Sequence, residues 1–168
     1  ISYFKKLKSD YSGNRERKTE IRLFDDVDAT KVVIRNTKLY INRDEGFIGT
    51  SLRKDEYVGD CSDIDDLIVF TKDCKVVITK VGAKTFIGKN IIHAAVFKKK
   101  DTRTIYNMIY KDGDKNFYYL KRFAVSGVTR DKSYSLSSSK NESNVAYFSA
   151  NPNGEAEIVS ILLRQSSK

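Results

Sequence analysis

Four cations recur along the 168-residue chain at similar intervals: Arg43, Lys80, Arg122 and Arg164, separated by 37, 42 and 42 residues. Each closes an apolar stretch, after "YIN", "VIT", "YLK" and "ILL". A second set, Arg53, Lys89 and Arg130, follows glycine turns, and Lys84, Lys121 and Lys132 flank the two sets. A row of equivalent positive charges suits the neutralisation of phosphates along a nucleic-acid backbone, which releases counterions without reading sequence. The plainer alternative is that strand ends are solvated and commonly basic.

Overall charge points the same way. The chain carries 31 Lys+Arg against 22 Asp+Glu, a net +9 with a pI near 9.4, which favours a polyanionic partner. From Lys72 to Lys132 there are 15 basic and 5 acidic residues, whereas Asp25 to Asp66 holds 6 and 11. The centre of the chain is therefore the expected binding face. Lys98-Lys99-Lys100 has no counterpart in other parts of the chain and reads equally well as a solvated loop.

Other chemistry finds little support. The single histidine, His93, stands in the apolar run "NIIHAAVF" and reads as a strand residue rather than a triad member. "IGKN" lacks the first glycine and the hydroxyl residue of a phosphate loop. Asp60, Asp63, Asp65 and Asp66 match no calcium-loop spacing, so no metal site is expected. Cys61 and Cys74 are 13 apart without a second pair, which supports neither a zinc site nor a disulfide scaffold and fits a reducing cytoplasm. Tyr118, Tyr119 and Phe123 could stack on bases, but at strand spacing they read as core. No catalytic residue is expected. No apolar run is long enough to span a membrane. The chain starts at Ile1 with its sole methionine at Met108, so it reads as an internal fragment.

The elements that must carry these cations repeat. Phe47-Ile48-Gly49 returns 39 residues later as Phe86-Ile87-Gly88, and in degenerate form as Val125-Ser126-Gly127. At that period "VVIRNTKLYINR", "LIVFTKDCKVVITK", "NMIYKDGDKNFYYLKR" and "AYFSANPNGEAEIVSILLR" align as strand, turn, strand and cation, with turns at Asn36, Asp73, Asp112 and Asn153. Asp112-Gly113 and Asn153-Gly154 favour tight turns. Cys74 occupies a position where glycine would be usual, and reads as a turn substitution rather than a reactive thiol. The recurring glycine predicts a sharp turn or a close backbone approach in each unit. The fold expected is an all-β array of blades of about 40 residues. Only "ISYFKKLKSDY" has helical spacing. Residues 1–24 thus read as the end of a helix and a basic linker, and 25–168 as repeats near 30–64, 65–103, 104–143 and 144–168.

"NRERKTEI", "KLYINRDEGFIG", "IVFTKDCKV", "YLKRFAVSGVTRDK" and "YFSANPNGEAE" together resemble the C-terminal domain of the A subunit of bacterial type IIA topoisomerases, DNA gyrase and topoisomerase IV. The glycine-rich basic box of gyrase is absent, which brings the resemblance nearer to topoisomerase IV. It implies a β-pinwheel, here an incomplete disc, that bends duplex DNA around a basic rim without a cofactor of its own. Mg2+ and ATP would serve the parent enzyme, ATP through the B subunit. The partners would be duplex DNA, that B subunit, plus the rest of the A subunit. The arginine-tyrosine-threonine motif of DNA cleavage does not occur. A propeller-like scaffold for an acidic protein is the alternative reading.

Overall fold

A computed structural model describes residues 1–11, 13 and 37–162. The chain divides into two compact units, Ile1–Val32 and Val33–Lys168. In the first, α1 (Ser2–Tyr11) is a single helix with no buried residue.

The second unit is built from three antiparallel sheets. Its strands are β1 (Thr37–Asn42), β2 (Phe47–Gly49), β3 (Glu56–Cys61), β4 (Asp66–Thr71), β5 (Lys75–Lys80), β6 (Thr85–Phe86), β7 (Ile91–Phe97), β8 (Ile105–Lys111), β9 (Tyr118–Phe123), β10 (Ser133–Ser135) and β11 (Asn144–Asn151). The sheet orders are β3-β1-β2-β6, β7-β4-β5-β10 and β11-β8-β9. We refer to these as sheets A, B and C. In each, a central strand (β1, β4 or β8) pairs with its hairpin partner on one side and with a later return strand on the other. Sheets A and B gain a fourth strand from the next unit along the chain: β6 pairs with β2, and β10 with β5. The result is an incomplete β-pinwheel, an all-β array of blades linked by strand exchange.

The alternation of side chains along β4 explains how the sheets stack. All six of its residues are buried. Leu67 and Val69 join Leu39, Ile41 and Ile48 of sheet A, while Ile68 and Phe70 join Val76, Ile78 and Tyr106 on the side of sheet C. A strand covered on both faces reads as a near-continuous apolar run, as "LIVF" does.

The repeated triplet has a different basis from the one its spacing suggests. Phe47-Ile48-Gly49 is β2, a hairpin partner, whereas Phe86 ends β6, the donated strand. The two copies do not superpose; they meet. Phe47 lies opposite Phe86 and Ile48 opposite Thr85, with the two phenyl rings edge to face at 5.3 Å. Ile87 donates its N–H to the Gly46 carbonyl at 2.9 Å. A Cβ on Gly46, which has φ 81°, would run into the Gly88 carbonyl, and one on Gly49 into the Ala83 carbonyl. Close backbone approach is thus the reason for glycine, and the approach is between blades. Gly127 has nothing within 4 Å of such a Cβ, so the third copy is under no such constraint.

Two other expectations change. The first hairpin turns at Arg43–Gly46 and joins β1 to β2; the strand expected before Asn36 lies outside the described residues. The fourth hairpin does not close. Gly154 has the expected positive φ of 71°, but residues 155–162 form no strand. Glu157 is held instead by Asn107 (2.7 Å), Ser149 (2.5 Å) and Tyr147 (3.2 Å), all from sheet C. Cys74 is a turn residue as expected: it has φ 59° and is fully buried, and burial pushes its thiol pKa up to about 11.

Candidate nucleic-acid interface

Register places several of the expected cations at one end of sheet B. Asp66, the first residue of β4, lies opposite Lys80 at the end of β5 and Phe97 at the end of β7. Lys98-Lys99-Lys100 follow directly and are exposed. The segment before β10 arrives at the same end: Asp131 donates its N–H to the Ile78 carbonyl (2.7 Å) and accepts from the Thr79 hydroxyl (2.7 Å). Asp131 thereby fixes its neighbours Arg130 and Lys132 beside Lys80. Lys132 sits over the Tyr134 ring at 5.3 Å.

Arg130 is engaged by Asp66, with Nε 2.8 Å from Oδ1. This carboxylate is 6% exposed, and Oδ1 has no directed hydrogen bond, so the contact is ionic rather than directional. Lys80 carries no ion pair or side-chain hydrogen bond among the described residues, and neither do Lys98, Lys99 and Lys100. Among the described residues this end of the sheet therefore presents exposed lysines without a hydrogen-bonded carboxylate, although Asp101 lies close enough to Lys98 to feel its charge. The tripeptide that lacked a counterpart in the repeat lies at the same end of sheet B as Lys80, across β4 from it. Its position directly after the apolar run "NIIHAAVF" was the signal for a strand end.

The remaining cations are distributed differently. Arg43 follows β1, a central strand, while Lys80 and Arg122 belong to hairpin partners, so the three are not equivalent despite their spacing. Arg43 donates from Nε and Nη2 to the two carboxylate oxygens of Glu56 at 2.7 Å each, and Nη1 donates to the carbonyls of Ile91 (3.3 Å) and Ile92 (2.9 Å). The hydrogen bond from Arg43 holds the Glu56 carboxyl below its usual pKa. Arg43 thus ties sheet A to β7. Lys89 lies just before β7, at the opposite end from Lys80, and is exposed. Arg122 donates to Asn107 (3.1 Å) and to the carbonyls of Gly154 (2.9 Å) and Glu155 (3.4 Å), pinning the chain after β11. Lys121 donates to the Leu136 carbonyl and lies 5.7 Å from the Tyr110 ring. Arg53 lies between β2 and β3 and Lys84 immediately before β6, where it stands over the Phe47 ring at 4.2 Å. Arg164 lies outside the described residues.

His93 stands in β7, as its apolar run suggested. Its ring packs among Phe70, Tyr106 and Phe148, with centroids at 5.5 to 6.2 Å, and burial lowers its pKa. Tyr118 and Tyr119, expected in the core, are 63% and 37% exposed, because β9 is an edge strand; only Phe123 packs inward. No group of three or more His, Cys, Asp or Glu is placed to hold a metal ion among the described residues. No described helix is long and apolar enough to cross a membrane.

Antiparallel blades that lend a strand to their predecessor, combined with a cationic strand end, define a propeller-like module of the β-pinwheel class. Comparison with known proteins makes this specific. Residues 38–168 match the family described as the topoisomerase C-terminal domain of Bacteroidota, and the chain belongs to that family. It is also 34% identical over 153 residues to the A subunit of DNA topoisomerase 4 from Borreliella burgdorferi, a match that covers 90% of this chain and 24% of that protein. The chain therefore spans about a quarter of the length of this relative. No solved structure matches.

Proposed function

We propose that this domain binds duplex DNA through its phosphates and bends it, as the non-catalytic C-terminal module of the A subunit of a type II topoisomerase. The observation that carries the reading is the row of lysines along one end of sheet B, where Lys98, Lys99 and Lys100 follow β7, Lys80 ends β5 and Lys132 precedes β10. Lysine ammoniums on strand ends contact phosphate as point charges and leave the base edges unread, so binding tolerates any sequence. Cations spread over stacked blades favour a bent duplex, because contacts on both sides of a bend offset its elastic cost of about 1–6 kcal/mol. Arg53, Lys84, Lys89 and Lys121 add to the positive field, while Arg43, Arg122 and Arg130 act chiefly by holding the blades in place. DNA cleavage, its Mg2+ and the ATPase of a B subunit belong in this reading to other parts of a cytoplasmic enzyme, and this domain requires no cofactor.

The test is a fluorescence-anisotropy titration of labelled duplexes of unrelated sequence across a salt series. Affinity should fall steeply between about 50 and 200 mM salt, and equally for each duplex. Replacing Lys98, Lys99 and Lys100 by alanine together should lower the slope of log affinity against log salt by roughly one unit for each phosphate no longer neutralised. Salt-independent binding, or a triple variant with the parent slope, would refute the assignment.

A further inference from the structure

Sheet A has a second surface, on the face turned away from sheet B. In β4 the residues on the corresponding face are Leu67 and Val69, both buried between blades. Aligning the central strands by their inward residues, Leu39 with Ile68 and Ile41 with Phe70, puts Lys38 and Tyr40 at those places in β1. A lysine where the middle blade has a fully buried leucine means that this face is not built for burial against another blade.

Its composition is aromatic and cationic. Tyr40 and Tyr57 lie opposite each other, with rings at 5.9 Å in an edge contact. Phe47 and Phe86 form the neighbouring pair across β2 and β6. Phe86 is 59% exposed and Tyr57 50%, a large share for rings on a four-stranded sheet. Lys84 caps the Phe47 ring, and Lys38 and Arg53 line a concavity of about 420 Å³ with Thr37, Tyr40 and Thr50. Asp60, opposite Lys38, accepts the Tyr57 hydroxyl at 2.8 Å and so orients that ring, and Asp55 accepts from the Asn42 side chain on the same face at 3.1 Å.

We propose that this face of sheet A is a binding site for single-stranded DNA, in which Phe86 and Tyr57 stack on unpaired bases while Lys38, Arg53 and Lys84 contact the backbone. Every base has a π face, so exposed aromatics on a sheet bind single strands with little sequence preference, and adjacent cations track the phosphates. A duplex keeps its bases stacked on one another and offers nothing to these rings. Charge complementarity selects a nucleic acid over an acidic protein, because the cations are interleaved with aromatics rather than grouped. The site is separate from the lysines at the end of sheet B and does not depend on the duplex reading.

The chain has no tryptophan, so Phe86→Trp introduces a single reporter at an exposed position. Its fluorescence should be quenched by a thymidylate 12-mer and left unchanged by a blunt duplex. Phe86→Ala and Tyr57→Ala should each weaken oligothymidylate binding by about tenfold with duplex affinity retained, and the combined Lys98, Lys99 and Lys100 variant should show the reverse. Circular dichroism checks that both alanine variants stay folded. An unresponsive tryptophan, unchanged oligothymidylate affinity in both alanine variants, equal losses for oligomer and duplex, or a clear preference for oligouridylate over oligothymidylate would each overturn the proposal.

Discussion

At the scale of single residues, cations that look alike in the sequence do unlike work. Arg130 stands beside a carboxylate that is otherwise buried, so its removal strands a charge on Asp66. Arg130→Ala is expected to lower stability by about 1–3 kcal/mol, less than for a fully buried pair because the arginine is half exposed. Urea denaturation measures this, and adding Asp66→Asn should recover part of the loss. Lys80→Ala, with no partner to strand, should stay within about 0.5 kcal/mol of the parent. His93 supplies a pH signature. Burial, with a smaller contribution from Arg43, lowers its folded pKa, so between the folded and unfolded values the unfolded chain binds more protons. Stability should therefore be complete above the ordinary histidine value and fall as pH drops through it. As the chain's only histidine, it should account for the change in thermal midpoint between about pH 7 and pH 5, and His93→Gln should flatten that interval.

At the scale of elements, the donated strand is the feature to disturb. β6 has only two residues, yet it brings Phe86 onto Phe47 and places the Gly88 carbonyl where no side chain on Gly46 could fit. Gly46→Ala should cost about 1–3 kcal/mol or more, since the residue must both hold a positive φ and displace backbone. Gly127→Ala should change stability by less than about 0.5 kcal/mol, because nothing surrounds that position. Equal effects in thermal melts of the two variants would contradict the account of why glycine recurs. The same logic applies to the segment after β11, whose carboxylate Glu157 finds three donors on sheet C and so lies across the sheet's face rather than extending its edge.

At the scale of the whole molecule, stability passes from sheet to sheet through shared side chains. Phe70 contacts the rings of Tyr106, Phe148, Phe123 and His93 at 4.6 to 6.3 Å, and so joins sheet B to sheet C. Phe70→Ala should cost about 3–5 kcal/mol. In an array where each unit contacts only its neighbours, the damage should be local. Amide hydrogen exchange should accelerate in β8, β9 and β11 well before β1 and β2, whereas uniform acceleration would indicate one indivisible core. Under the proposed function, rigid stacking also matters for binding, since a cationic strand end on a loosely held blade could not offset the cost of a bent duplex.

Whatever depends on near neighbours was legible in the order of amino acids. The hairpins of Asp66–Lys80 and Ile105–Phe123 follow from apolar strands around a short polar turn, the helix at Ser2–Tyr11 from 3.6-residue spacing, and the role of Cys74 from its place in a turn. These features need only a few adjacent residues to agree, and so did the motifs that carried the family resemblance. Which strand joins which sheet was settled in three dimensions. Pairing Phe47 with Phe86 closes a loop of 39 residues, and a repeat in the sequence looks the same whether its copies superpose or touch. Folding also settled which cations are free. Arg43, Arg122 and Arg130 satisfy carbonyls and carboxylates brought to them by distant strands, while Lys98-Lys99-Lys100 and Lys80 reach the same end of one sheet only through the pairing of β4 with β5 and β7. A charge's availability depends on what the fold places within about 3 Å of it, and one-dimensional spacing does not contain that distance.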